Sequence, residues 1–500
     1  MMTDRPHWQA LGKTLLALSF ILLMGPQSAR AQGTRQVEGT NWSTPEKISA
    51  AIDVPVSSPR LVVDREGNPH VFWIENPAPD EDATDHLPGA IIYSRWNRFT
   101  WTTPRDILVA KSADRIHRLE VALDDSDRFH LVYVDWADKR PYYSSSDLKA
   151  AEDPRLWTKP AAIGGSSVWS IDLESHDREL YLAFSEFTAP YEIGFVLSDN
   201  GGQSWSEPSW VSNALGREEF ANDVRLARDQ EGVIHIAWAQ YELPDGYPPA
   251  RVNYSKSHDG GGSWTSKIDV HIGRYGNPNV VAGRGEYLYL AWNGASGVGG
   301  RYFRQSLNAG NSWSERTTIA PGIGGLTGAP AMAIDSSGTL HLASASASSS
   351  GIDGIAFASW DGGAWSELEN ASQTYDPYTT EEQRKGFEPW MAISAGNRIH
   401  LVYIGKGHSD VWYVTARTGA PAVGLEEATG LESSSLSPQP EKRSEATDGQ
   451  SEDAPVSVEQ AGDLRLAPRG ESSPVVPIWI GGVPVLVLIG LVILVRFIQE

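Results

Sequence analysis

The sequence predicts an all-β fold, a seven-bladed β-propeller of four-stranded blades. Three observations carry this expectation. Trp42, Trp101, Trp157, Trp205, Trp264, Trp313 and Trp365 recur at roughly 50–60-residue intervals, each followed by Ser or Thr. A second run keeps step with them: His70-Val-Phe-Trp73, His130-Leu-Val-Tyr133, Tyr181-Leu-Ala-Phe184, His235-Ile-Ala-Trp238, Tyr289-Leu-Ala-Trp292, His341-Leu-Ala-Ser344 and His400-Leu-Val-Tyr403. A third, such as Ile91-Ile-Tyr-Ser94 or Val252-Asn-Tyr-Ser255, precedes each Trp. Short apolar runs between turn residues read as strands, and a supersecondary unit repeated at this period reads as a propeller blade.

Each unit supplies its strands in order. Arg60-Leu-Val-Val-Asp64 is the first strand of the first unit, the His70 run its second, the Ile91 run its third and the Trp101 segment its fourth. The last unit stops after Val411-Trp-Tyr-Val-Thr415 without a Trp segment, whereas Asn41-Trp42-Ser43 stands before the first complete unit. The N-terminal segment is therefore expected to supply the outer strand of the seventh blade, closing the ring and removing a free edge.

Composition bounds the function. The chain has 500 residues, 63 Asp plus Glu against 41 Lys plus Arg, and a formal charge of −22. That balance argues against nucleic acid as a partner, since such binding rests on basic patches. With no Cys, disulfides, thiolate metal sites and a Cys nucleophile are excluded. A hydrophobic fraction of 40% is enough for a large core.

The ends read differently. Residues 1–31 resemble a secretory signal: Arg5 and Lys13, an apolar run from Leu15 to Met24, then Ala29-Arg30-Ala31 before the expected cleavage. The propeller is expected over 32–419. Residues 420–474, rich in Ser, Glu, Pro and Ala, read as a disordered acidic stalk. Residues 475–495 contain no charge and are long enough for a transmembrane helix, and 496–500, opening on Arg496, form a short cytoplasmic tail. The expected product is a bacterial surface protein anchored in the cytoplasmic membrane, with its propeller outside.

Several units carry a tight turn before the Trp. Ser257-His-Asp259-Gly-Gly261-Gly-Ser-Trp264 fits Ser-x-Asp-x-Gly-x-x-Trp, and the Ser198–Trp205 and Ser306–Trp313 segments fit with Asn200 and Asn308 for Asp. Ser359-Trp-Asp361-Gly-Gly363-Ala-Trp365 is one residue shorter. Asp or Asn hydrogen-bonds nearby backbone N–H groups, Gly takes positive φ and Trp packs back over the turn. This motif resembles the Asp-box, or bacterial neuraminidase repeat, of sialidase-like propellers. The resemblance spans about three quarters of the chain. It implies the propeller fold and places such turns on the face away from the active site. Families with this repeat include sialidases, xyloglucan-degrading glycosidases, photosystem assembly factors and sorting receptors, so the turns do not identify chemistry.

Candidate site residues come from the positions four before the first turn of each unit: Arg60, Glu120, Ile171, Arg225, Asn279, Ala331 and Trp390. Sialidases hold a substrate carboxylate with three Arg, whose guanidinium fork suits it. The resemblance therefore casts Arg60, Arg225 and Arg301 as substrate-binding, with Glu120 and Trp390 beside them. Ser58-Pro-Arg60-Leu61 is similar to a shortened sialidase Phe/Tyr-Arg-Ile-Pro motif. Sialidases also use a Tyr nucleophile with a Glu, and a carboxylic acid. Tyr378 with Glu388, in Glu388-Pro389-Trp390, is the expected pair, and Asp82, in the loop Asp80–Asp85, the expected acid. The competing reading leaves these as solvated or paired surface residues.

No metal or other cofactor is expected. The repeated His residues lie whole blades apart and cannot converge on one ion; they are expected to pack between blades, with Tyr181 and Tyr289 in the same slot. The acidic loops carry no dedicated Ca2+ spacing. The leading reading is a sialidase-like propeller that recognises or hydrolyses a glycan or glycoconjugate, sialylated or otherwise anionic. The alternatives are a non-catalytic glycan- or protein-binding propeller and a cell-envelope assembly factor.

Overall fold

A computed structural model of the chain describes residues between Thr40 and Pro421, apart from 51–53, 78–86, 113, 166, 187, 189–190, 213–218, 243–248, 295–298, 320–327, 347–353, 373–385 and 406. Two compact units divide the chain, 1–435 and 436–500, and every described residue belongs to the first. The expected signal peptide, stalk, transmembrane helix and tail lie outside the described residues. Among the described residues no helix is long and apolar enough to cross a membrane.

The first unit is a seven-bladed propeller of four-stranded antiparallel sheets. The inner strands of blades 1 to 7 are Val56–Val63, Ile116–Leu123, Val168–His176, Glu219–Arg228, Tyr275–Ala282, Ala331–Ile334 and Gly386–Ser394. Inner strands of successive blades touch one another, and that of blade 7 touches that of blade 1. Closure is as the repeat count requires: Glu46–Lys47 pairs antiparallel with Val411–Arg417 as the outer strand of blade 7. Lys47 Nζ lies 2.5 Å from Asp410, and Thr40 donates its N–H to Glu369 of blade 6 at 3.0 Å.

The second strands are the most buried elements, because both faces of each blade are covered by neighbouring blades. Pro69–Glu75 and Ile234–Glu242 read as continuous apolar runs for this reason. The core is accordingly seven apolar clusters, one between each pair of adjacent blades.

The repeated Trp residues act between blades. Trp205, Trp264, Trp313 and Trp365 meet edge-on the third-strand aromatics Tyr143, Phe195, Tyr254 and Phe303 of the preceding blade, with ring centroids 5.0–5.5 Å apart. Trp42 does the same to Phe357 at 5.0 Å and Trp101 to Tyr413 at 4.9 Å, which carries the pattern across the closure. The turns before them are held as their residue types demand. Ser263 N–H and hydroxyl donate to Asp259 at 2.8 and 2.6 Å, and Gly261 N–H donates to Ser257 Oγ at 2.8 Å. The outer strand of a blade starts four residues beyond its Trp, as at Ile268 after Trp264 and Ser209 after Trp205.

The repeated His residues work within a blade as well as beside its neighbour. His130 bridges Asp124 of the first turn, at 3.0 Å, and Tyr143 of the third strand, at 2.8 Å. His235 links Asp229 and Tyr254, and His341 links Asp335 and Ser359, at 2.7–3.0 Å. Packing between blades is thus only part of their role: both ring nitrogens are spent on hydrogen bonds, which satisfies a buried imidazole.

Candidate functional site at the channel mouth

The inner strands do not run straight into the channel. Register shifts in six blades mark a bulge near the start of the inner strand: Ser57/Arg60, Ile116/Arg118, Val168/Ser170, Asn222/Arg225, Gly276/Asn279 and Phe387/Trp390. At four of them a non-glycine residue adopts positive φ: Ser58 (49°), Asp223 (53°), Asn277 (48°) and Glu388 (46°). Bulges re-aim side chains, and left-handed non-glycine residues gather at functional sites.

These bulges surround a cavity of about 240 Å3 at the front face, where the inner strands begin. Two layers line it. The outer carries Ser58, Arg118, Ser170, Asp223, Asn277 and Glu388; the inner carries Arg60, Glu120, Arg225, Asn279 and Trp390. Gly328 also lines it and approaches Glu388 so closely that a Cβ there would stand 3.0 Å from the Glu388 Cα.

Arg60 is buried and donates through Nε and Nη2 to the two carboxylate oxygens of Glu120, both at 2.6 Å. Burial works against the charge of Arg60, but Glu120 outweighs it and the guanidinium is held above its ordinary value. Its other face lies 4.2 Å from the Trp390 ring centroid. Arg225 stands 3.9 Å from Glu120 and 4.0 Å from Asp172, and its buried Nε has no hydrogen-bond partner.

Arg118 is the least compensated cation of the three. No carboxylate lies within 4.0 Å of it among the described residues, and it donates from Nη1 to the His117 carbonyl at 3.1 Å. Burial lowers its pKa, with Glu388 and Asp223 opposing and Arg60 and Arg225 reinforcing the shift. The site thus has three guanidinium groups, of which only Arg60 is fully committed.

The expected residues divide. Arg60, Glu120, Arg225, Glu388 and Trp390 line this one cavity. Glu388 accepts from the Ser58 N–H at 3.0 Å, linking blade 7 to blade 1. Tyr378 and Asp82 lie outside the described residues. Arg301 is corrected: it is fully buried away from the cavity, donating from Nε to Ser344 Oγ at 2.5 Å and from Nη2 to the Ala345 carbonyl at 2.8 Å. Blade 6 consumes its fork, and burial lowers its pKa to about 10.

The alignment also slips in blade 3. Its first two strands are joined by a two-residue hairpin, with His176 paired to Glu179. The ring equivalent of Arg60 is therefore Asp172, paired with Ala183, while the Ile171 side chain belongs to an apolar cluster between blades 2 and 3. Asp172 accepts the Leu226 N–H at 2.7 Å. Burial pushes its pKa up to about 7, with Glu120 adding and Arg225 opposing. Glu174 accepts the Arg228 N–H at 2.9 Å and is pushed up to about 8 by burial.

Sequence reasoning missed Arg118, Asp172 and a tyrosine–carboxylate pair. Tyr241 donates its hydroxyl to Asp223 at 2.8 Å beside the cavity. Pro59, Pro278 and Pro389 stand inside strands, where proline marks a bulge, but they flag blades 1, 5 and 7 and not blades 2, 3 and 4, where Arg118, Asp172 and Asp223 lie. No group of three His, Asp or Glu residues placed to hold a metal is found among the described residues.

No family model matches the chain, and no curated protein matches it. Among solved structures, a lectin from Burkholderia pseudomallei aligns at 12% identity and TM-score 0.53 over 75% of this chain and 98% of its own. A polysaccharide lyase described as an ulvan lyase aligns at 12% identity and TM-score 0.51 over 77% and 99%. A microbial sialidase aligns at 12% identity and TM-score 0.44 over 74% and 66%. What this chain shares with the lectin and the lyase is the fold.

Proposed function

We propose that the protein is a glycan-recognising propeller whose channel mouth takes the acidic group of an anionic sugar. The observation that carries this reading is Arg118. Among the described residues it is a guanidinium without a carboxylate within 4.0 Å, set beside Arg225, whose Nε has no partner among them, in a cavity that also presents Trp390. An arginine fork is suited to a carboxylate or sulfate, and bringing such a group in relieves the mutual repulsion of the three neighbouring guanidinium groups. Trp390 adds an apolar face for a sugar ring. A volume of about 240 Å3 lies below the ~300–1,000 Å3 typical of drug-sized ligands, which suits one sugar unit or its acidic end.

The finer reading is a sialidase-like protein of the Asp-box type, exported by its N-terminal segment and tethered by residues 475–495. Hydrolysis would need Tyr378 with Glu388, or Tyr241 with Asp223, as the nucleophile pair. Glu120, bound bidentately by Arg60, is not available as acid or base, which leaves that role to Asp82.

Calorimetric titration with acidic and neutral monosaccharides tests recognition: acidic sugars should bind, and Arg118→Ala should abolish the preference. Equal binding of both, or an unchanged preference in the variant, would remove the proposal. A fluorogenic sialoside assay with Tyr378→Phe and Tyr241→Phe decides catalysis.

A further inference from the structure

The bulges that turn Arg118 and Ser170 into the cavity turn their preceding neighbours, His117 and Trp169, out of register with the second strands. Those two residues meet Trp136, from the hairpin between the second and third strands of blade 2. His117 lies 5.1 Å from the Trp136 ring and 4.6 Å from the Trp169 ring, and the two indoles lie 6.1 Å apart. Trp136 is 37% exposed, as is Trp210, whereas the repeated Trp side chains are packed between blades.

Polar chemistry is unfinished in this cluster. Lys139 Nζ sits 2.9 Å from the Trp136 centroid and 5.8 Å from that of Trp169, buried and without a hydrogen-bond partner. His117 is hydrogen-bonded to the Trp169 backbone, and its Nε2 is buried without a partner among the described residues. An ammonium with three unspent donors and an imidazole nitrogen are costly to leave unsatisfied. Asp114 and Asp135 face Lys139 electrostatically, and Arg115 and Arg118 stand beside His117.

We infer that His117, Trp136, Lys139 and Trp169 form a second carbohydrate subsite, an aromatic shelf that stacks the sugar following the one held in the cavity. Indole faces offer the C–H side of a pyranose a flat apolar surface, and Lys139 and His117 offer partners to its hydroxyl or acidic groups. Arg118 and Ser170, which line the cavity, directly follow His117 and Trp169 in the chain, so one chain of at least two sugars would span both. This rests on the anionic-glycan reading of the cavity and deepens it from a monosaccharide to an oligosaccharide ligand.

The test is calorimetric titration of the full chain with glucuronate, a glucuronate-containing tetrasaccharide and cellotetraose. Wild type is compared with Trp136→Ala, Trp136→Phe, Trp169→Ala and Arg118→Ala, with thermal unfolding confirming that each variant is folded. The acidic tetrasaccharide should bind more tightly than glucuronate. Trp136→Ala and Trp169→Ala should weaken the tetrasaccharide about tenfold and leave glucuronate unchanged, with Trp136→Phe recovering most of the loss. If Arg118→Ala loses both acidic ligands while the Trp variants bind as wild type does, the shelf falls and the cavity reading stands. If cellotetraose binds as well as the acidic chain, insensitive to Arg118→Ala but weakened by Trp136→Ala, the shelf stands and the cavity reading falls. If glucuronate binds wild type and neither tetrasaccharide does, the shelf falls and the cavity reading stands; if none of the three binds, both fall.

Discussion

Arg60 and Arg118 stand one blade apart in the same cavity, yet their surroundings predict opposite consequences of removal. Arg60 is bound bidentately to a buried Glu120. Arg60→Ala leaves that carboxylate uncompensated and should cost about 3–5 kcal/mol of stability in denaturant unfolding. Arg118 has no such partner, so Arg118→Ala should leave the unfolding midpoint unchanged or raise it while removing acidic-ligand binding. Asp172 and Glu174 set a pH dependence. Burial raises their folded pKa values to about 7 and about 8, above the unfolded values of about 4. The folded state therefore holds more protons than the unfolded state between about pH 4 and those values, and stability falls as pH rises through that window. The carboxylates lowered to about 2 by their hydrogen bonds despite burial, Asp64 and Asp335, act only below that window. The buried histidines oppose this up to about pH 6.5, where the unfolded imidazoles titrate, because burial holds His271 down to about 4 and His400 to about 3. Melting temperature should therefore fall above that point, from about pH 6.5 to pH 8, and Asp172→Asn should flatten the fall there. A wild-type slope of the opposite sign would overturn this assignment.

Within the blade, the hairpin turns couple local conformation to packing between blades. Gly261 has φ of 90°, and a Cβ there would stand 2.2 Å from the Phe195 ring of the preceding blade. Gly285 has φ of 58° but open space around it. Gly261→Ala should thus lower stability well beyond the ~1 kcal/mol expected for conformational cost alone at Gly285→Ala. Equal melting temperatures for the two variants would show that the turn does not seat the blade interface. The same economy appears in blade 3, where Ser170, Asp172 and Glu174 accept the N–H groups of Val224, Leu226 and Arg228 on the next inner strand. Alternation along one strand thereby satisfies the exposed edge of its neighbour.

For the whole ring, stability depends on a short segment far away in sequence. Glu46–Lys47 completes blade 7, Trp42 packs on Phe357, and Ser43 N–H donates to the Thr415 carbonyl at 2.8 Å. Deleting residues 40–49 should leave the edge of Val411–Arg417 open and expose apolar surface between blades 6 and 7. The expected outcome is a lower melting temperature and self-association in light scattering. A monomeric, equally stable truncation would show that the ring closes without this strand.

The periodic Trp and second-strand runs determined blade number, strand order and closure by themselves, because every blade must bury the same faces against two neighbours and so repeats the same residues. Arg60, Glu120, Arg225 and Trp390 were legible as a ring because they keep a constant offset from the first turn. The offset failed where local geometry changed. The two-residue hairpin of blade 3 hid Asp172, and the bulges hid Arg118 two residues before Glu120. Arg301 drew attention by residue type, but a long side chain at the start of a third strand can be consumed by the next blade. Only the tertiary structure decided which guanidinium groups are paired and which are left uncompensated, because pairing joins inner strands of different blades, far apart in sequence. Repetition dictates a ring; the unequal side chains that meet at its centre dictate what the ring can hold.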